Sequence, residues 1–255
     1  MKKSTRRPVI PSDAGPGATS LHGKLALITG ATQGIGLALA QSLAAEGCGL
    51  ILCARDRKRL SEAESELSRK QIPVRALSCD VRDEKSVASM FAAVCKRFSH
   101  LDILINSAGI AHPFRSIVEL ETQEWNQVLA TNLTGTFLVS RAALSLMSRG
   151  SSIVNILSMS SKRAFPNLAA YTASKFGALG LTHALREELR SQGIRVIAAL
   201  PGSTDTAIWD TLWPEAPRNK MMRAETVAQA IVAALKLPPE TTVEELELMP
   251  TGGPL

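Results

Sequence analysis

Lys24-Leu-Ala-Leu-Ile-Thr-Gly-Ala-Thr-Gln-Gly-Ile-Gly36 decides how the rest of the chain is read. Its first half is a short apolar run of the kind that forms a buried strand. Glycines at 30, 34 and 36 follow at once, and helical periodicity then runs over about 34–46. Glycines in such a turn let backbone N–H groups and a helix N-terminus come close to an anion, whose charge the helix dipole favours. A tight strand–helix turn without a ligand is the plainer reading. The strand before and the helix after favour the anion-binding one.

Outward from this stretch the pattern is regular. Strands are expected at about 25–29, 49–53, 73–78, 101–105, 152–157, 194–200 and 244–248. Helical periodicity fills about 34–46, 57–70, 83–98, 122–148, 168–191 and 224–236. Most of these strands are apolar along their length, as in a sheet covered on both faces. Alternating strands and helices then imply α/β architecture, a doubly wound parallel sheet of the Rossmann type with about seven strands. No repeat or internal linker divides residues 23–255, which read as one domain. Residues 1–22, rich in Pro, Gly, Ser and charge, read as a disordered basic extension.

Composition removes several function classes. The chain has 255 residues, 45% of them apolar, and a formal charge of +6. Lys2, Lys3, Arg6 and Arg7 against Asp13 place half of that charge in the extension. Aromatics are only 4%, so the stacking platforms of a nucleic-acid binder are not expected. No run approaches the ~18 apolar residues of a membrane span, and the basic start lacks the apolar region of a secretory signal. Cys48, Cys53, Cys79 and Cys95 form no Cys-x-x-Cys pair and read as buried free thiols in a reducing cytoplasm. His22, His100, His112 and His183 are scattered, so no metal is expected.

The chemistry points to residues 151–177. An apolar strand ends at Ser158, a polar turn holds Pro166, and a helix resumes near Leu168. On that helix Tyr171 and Lys175 are four residues apart and share a face. Tyr171 is the only tyrosine in the chain. A free phenol titrates near ~10, and an adjacent ammonium lowers that value toward useful proton exchange. Ser158 is placed to donate a hydrogen bond to the same substrate oxygen. Alone, so short a pattern is as readily a chance pairing on a solvated face.

With Thr-Gly-x-x-x-Gly-x-Gly at 29–36 and Tyr-x-x-x-Lys at 171–175, the chain resembles the short-chain dehydrogenase/reductase family over about residues 23–236. Further landmarks fall in order: Ser158 thirteen residues before Tyr171, Asn132 in the central helix, Asn106-Ser107-Ala108-Gly109, and Pro201-Gly202-Ser203-Thr204-Asp205-Thr206. The resemblance implies hydride transfer between a nicotinamide cofactor and a small carbonyl or alcohol. Tyr171 is then general acid/base, Lys175 holds the cofactor ribose and depresses the tyrosine, Ser158 polarises the carbonyl, and Asn132 holds a relay water. Cofactor contacts are implied for Gly30, Thr32, Gln33, Gly34, Ile35, Gly36, Asp80, Val81, Asn106, Ala108, Gly109, Tyr171, Lys175, Pro201, Gly202, Thr204 and Thr206. Ser107, where the family usually has asparagine, and Leu157, where a serine often precedes the catalytic one, are mild departures.

Where NAD-preferring relatives carry an acidic residue, this chain has Ala54, followed by Arg55. A guanidinium suits a 2′-phosphate by charge and by its fork of donors, which favours NADP over NAD. Against it stand Gln33, where many NADP-preferring members are basic, Asp56 beside Arg55, and the chance that Arg55 is only a solvated charge. Residues 207–222 match the family's mobile substrate lid, with Trp209, Trp213, Met221 and Met222 as an apolar wall or, equally, as core or subunit contact. Arg218 and Lys220 in the lid read as cations facing water more readily than an acidic substrate. The family's usual assembly is a homotetramer or homodimer on the 122–148 and 168–191 helices. Two other readings stay open: a 3-oxoacyl-(acyl carrier protein) reductase, which the closing Val243–Leu255 segment disfavours, and a non-catalytic NADP-sensing protein.

Overall fold

The computed structural model describes residues 19–255; the expected basic extension therefore lies almost wholly outside the described residues. β1 (Leu25–Thr29) is buried at every position and leads through the glycine turn into α1 (Gly34–Ala45). β2 (Gly49–Ala54) is followed by α2 (Arg57–Ser68), whose first turn is capped by the Asp56 carboxylate accepting from the Lys58 and Arg59 amides. β3 (Val74–Ser78) precedes α3 (Glu84–Cys95), capped in the same way by Asp83. Such caps satisfy backbone donors that a helix start leaves unpaired. β4 (Ile103–Asn106) is followed by α4 (Thr122–Leu129), a π-helical turn (Ala130–Thr134) and α5 (Gly135–Ala143). β5 (Ser152–Ile156), α6 (Ala169–Arg190) and β6 (Arg195–Pro201) come next. The short β7 (Thr204–Asp205), α7 (Trp209–Leu212) and β8 (Met222–Arg223) lead to α8 (Ala224–Leu235) and β9 (Glu245–Leu248).

Seven strands form one sheet in the order β3-β2-β1-β4-β5-β6-β9, each pair parallel. The fold class is the expected one, a Rossmann-type sheet with helices on both faces. Alternate residues of each central strand enter different layers. Ala26, Ile28, Leu50, Leu52 and Ile105 pack with Leu39, Leu43, Leu60 and Ile231 of α1, α2 and α8. Leu27, Ile51, Leu104 and Ile153 pack on the other face with Val87, Phe91, Leu138 and Leu185 of α3, α5 and α6. Both faces are dry, so the central strands need no polar alternation, and each such buried aliphatic side chain contributes about 1.5–3 kcal/mol. β3, at the sheet edge, is only half covered.

Two expectations change. The continuous helix expected over 122–148 is broken by the π-turn at 130–134 and gives way to a 3₁₀ turn at Leu144–Leu146. Cys95 is exposed, so only Cys48, Cys53 and Cys79 fit the expectation of buried thiols. The last strand is fastened by the buried Arg186, which donates to the Val196 and Glu244 carbonyls, while the half-buried Arg195 donates to those of Leu235 and Leu237 at the end of α8. Beyond β9, the Gly202 amide donates to the Leu248 carbonyl at 2.7 Å, and the Met249 sulfur covers Gly202 so closely that a methyl there would meet it at 2.6 Å. Among the described residues no helix is long and apolar enough to cross a membrane.

Candidate active site

The chain order switches direction between β1 and β4, and a crevice opens at the carboxyl ends of these strands, where doubly wound sheets bind ligands. Gly30 has a φ of +66° and Gly34 one of +54°, backbone that an L side chain resists. A methyl on Gly30 would stand 2.9 Å from the Ala108 amide nitrogen, and one on Gly36 2.3 Å from the Gly30 carbonyl. The glycine turn is thus pressed against residues 107–108, and Thr29 Oγ1 joins the two by accepting from the Ser107 and Ala108 amides at 3.0 and 3.1 Å. Gln33 stands at the start of α1 without giving it a side-chain cap, and no acidic residue occupies the first turn. A twelve-residue helix therefore presents uncapped N–H groups and its positive end to the crevice. This donor set fits a pyrophosphate.

The crevice has a volume of about 880 Å³. Of the residues implied for cofactor contact, Gly30, Thr32, Gln33, Gly34, Ile35, Arg55, Asp80, Val81, Ala108, Gly109, Tyr171, Lys175, Pro201, Gly202, Thr204 and Thr206 line it. Gly36 and Asn106 do not. Gly36 is consumed by its contact with Gly30. Asn106 lies beneath the floor, its amide donating to Ser140 Oγ at 2.9 Å and Asn155 Oδ1 at 2.8 Å, so it holds β4, α5 and β5 together.

Arg59 also lines the crevice and was not among the expected residues. It donates to Gln33 Oε1 at 2.7 Å, so the position where relatives are often basic has a cation brought to it from α2. The legible signal was its spacing, four residues after Arg55 across the Asp56 cap. Asp56 is spent on that cap and on Arg59 rather than on Arg55. Asp80 does not cap α3. The Arg82 guanidinium grips it with two forks and holds its carboxyl below the usual range, with a smaller contribution from Arg55. Cys53 and Cys79 line this end too, and the hydrogen bond from Cys53 draws the Cys79 thiol down to about 7.

At the other end Ser158 accepts from the Ser160 amide at 3.0 Å, and its hydroxyl reaches the Tyr171 oxygen. Lys175 Nζ lies 5.6 Å from the centre of the Tyr171 ring and donates to the Ile156 carbonyl at 3.0 Å. Burial pushes the Tyr171 phenol above its ordinary value, and the Ser158 bond offsets only part of that. Burial of the phenol, rather than Lys175, sets that direction, and burial likewise drives the lysine amine down to about 8. Asn132 is buried off the crevice wall, where Thr131 stands instead. Its Oδ1 accepts from the Ile110 amide at 2.9 Å, while Nδ2 donates to the Ile110 carbonyl and to Ser174 Oγ. A methyl on Gly109 would lie 3.5 Å from Asn132 Oδ1 and 3.8 Å from Lys175 Nζ, which sets the two side by side.

The sequence model of the short chain dehydrogenase family matches residues 24–217. The chain belongs to the short-chain dehydrogenase family. Like other short-chain dehydrogenases it is a nucleotide-binding oxidoreductase acting on small molecules. It is 40% identical over 186 residues to a putative ketoacyl reductase of granaticin polyketide synthase from Streptomyces violaceoruber, covering 71% of this chain and 68% of that protein. It is 34% identical to sulfoacetaldehyde reductase 2 of Chromohalobacter salexigens, over 89% of this chain and 94% of the relative. The fold is similar to that of an alcohol dehydrogenase from Thermococcus sibiricus solved with 5-hydroxy-NADP. There the TM-score is 0.84 at 30% identity, over 90% of this chain and 97% of that one.

The lid differs from expectation. Trp209 and Trp213 line the crevice, Trp209 anchored by its indole N–H to the Thr204 carbonyl at 2.9 Å. Met221 and Met222 do not line it, since β8 pairs Met222 with Thr204 and turns the segment toward the core. Arg218 is partly exposed to water, as expected, but it is not free. It clasps Asp205, Asp210 and the Thr206 carbonyl, and so pins the start of α7. Phe114, Arg163 and Phe165 complete the mouth and carried no signal in the sequence, because residue spacing does not tell which loops converge.

Proposed function

We propose that the protein is an NADP(H)-dependent reductase of small carbonyl compounds. One observation carries this reading: Ser158, Tyr171 and Lys175 open onto the same crevice as an uncapped helix N-terminus and the Arg55–Arg59 pair. When bound, the nicotinamide supplies the hydride. Arg55 and Arg59 are the residues that would hold a 2′-phosphate, and the 30–36 turn the pyrophosphate. Tyr171, kept protonated by burial, gives its proton to the carbonyl oxygen, and Ser158 donates a second hydrogen bond to that oxygen as charge develops. Lys175, protonated below about 8, supplies the positive charge beside the phenol. One lone pair of Asn132 Oδ1 is unspent, and a water held there would connect Lys175 outward. The names of the relatives, a ketoacyl reductase and a sulfoacetaldehyde reductase, and a neighbour solved with an NADP derivative support carbonyl reduction with NADP. We also propose, from the family resemblance and the unpaired cysteines, a cytoplasmic homotetramer or homodimer.

The test is a fluorescence titration with NADPH and with NADH, run on the wild type and on Arg55→Ala. Tighter NADPH binding is expected, falling roughly tenfold or more in the variant, as loss of a charge-assisted pair implies. Tyr171→Phe, with NADPH still bound, is expected to lose about 10²–10⁴-fold in turnover. Equal binding of NADH and NADPH by the wild type would overturn the cofactor assignment.

A further inference from the structure

Of the cations around the crevice, Lys175 is spent on the Ile156 carbonyl, Arg59 on Gln33 and Arg218 on the lid clasp. Arg55 and Arg163 make no hydrogen bond or ion pair among the described residues, and Arg55 stands near Asp80, at the cofactor end. Arg163 follows Ser158 in the chain. Its amide is tied to the Met159 carbonyl at 3.0 Å, which fixes its place in the loop between Ser158 and α6. Its guanidinium lies over the Phe165 ring, 5.4 Å from the centroid. Among the described residues its side chain makes no hydrogen bond or ion pair, yet it lines the crevice. Phe165 packs against the cluster of Leu168, Tyr171 and Leu212, so the stack fastens the cation to the wall that holds the phenol.

The surroundings choose the ligand. The two acidic side chains that line the crevice, Asp56 and Asp80, belong to the Arg55–Arg59 end. Arg163 is exposed at a lining that also includes Phe165, Phe114 and Trp213, the last two tilted together at 6.4 Å. An aromatic ring beneath a guanidinium fixes its plane and leaves the N–H edge free, and that edge matches an oxyanion bidentately.

We propose that Arg163 is an anion subsite, and that the substrates are oxo acids, with an apolar body between the carbonyl and a terminal carboxylate. The proposal rests on the carbonyl-reductase reading. It is tested with a ladder of linear oxo acids of increasing length and their methyl esters, at saturating NADPH. At the best length the wild type is expected to favour the acid by about tenfold in kcat/KM, the size of one well-placed charged contact, chiefly through KM. Arg163→Gln is expected to remove about that factor for the acid and far less for the ester. Arg163→Lys restores part of it, a point charge without the fork, and Arg163→Glu lowers the acid further. Independently of turnover, saturated straight-chain carboxylates are expected to quench Trp209 and Trp213 fluorescence, more weakly in Arg163→Gln. An acid-to-ester ratio that is the same in wild type and Arg163→Gln overturns the subsite and leaves the reductase reading standing. Reduction of neither acid nor ester, with NADPH binding intact, overturns both.

Discussion

Lys175 is the one lysine among the described residues whose amine is driven down by burial, to about 8. Its unfolded value is near ~10.4, so the native state holds this proton less tightly than the unfolded chain. The resulting penalty is present in full below about 8 and fades as pH rises toward the unfolded value. Lys175→Met is therefore expected to be more stable than the wild type at pH 7, by about 1–3 kcal/mol once the lost bond to Ile156 is subtracted. The gain shrinks at pH 10. Thermal unfolding at the two pH values checks this, and a lower Tm for the variant at pH 7 would sink it. The same shift has a kinetic face. Tyr171 stays protonated through the neutral range, while Lys175 loses its charge above about 8. The reductive kcat is accordingly expected to be flat below that point and to fall, by up to about tenfold per pH unit, above it.

The π-turn of Ala130–Thr134 shows which part of an element can be read in advance and which cannot. Apolar periodicity over 122–148 announces a helix correctly, because the buried face is a local pattern. The break is not local. It exists because Asn132 turns inward to pair both polar groups of Ile110 and the hydroxyl of Ser174, a loop and a helix remote in sequence. π-turns of this kind gather at functional sites. Asn106 shows the same limit, since its neighbours in sequence point to the crevice and its partners Ser140 and Asn155 draw it underneath. The glycine turn and Tyr171–Lys175 were legible because each is one local stretch. Arg163 and the Arg218 clasp were not, because spacing does not tell which loops line the crevice or fold back on themselves. Asn132→Ala is expected to leave the Ile110 groups unpaired and to cost about 2–4 kcal/mol. Its signature is faster hydrogen exchange at Gly109–Ile110 and in α4–α5, and unchanged exchange there would refute the role.

At the scale of the whole molecule, the doubly wound sheet brings residues from distant stretches to one crevice, with the Arg55–Arg59 pair at one end and Ser158 and Tyr171 toward the other. That layout follows from the alternation of strands and helices, which is why the fold was readable from sequence while the mouth was not. The β6 border depends on a late segment: Leu248 and Met249 hold Gly202, and Arg186 holds Glu244. Deleting residues 243–249 is expected to raise hydrogen exchange across 195–206 and to weaken NADPH binding by roughly tenfold or more. Unchanged exchange and affinity would show the clasp to be dispensable. The clasp also sets a clock during synthesis. At about 5–20 residues per second, Gly202 leaves the peptidyl-transferase centre a few seconds before Leu248 and Met249 do. For that interval the nascent protein owns its phenol, its lysine and its glycine turn, but has no fastened wall on the side where residues 201–206 stand.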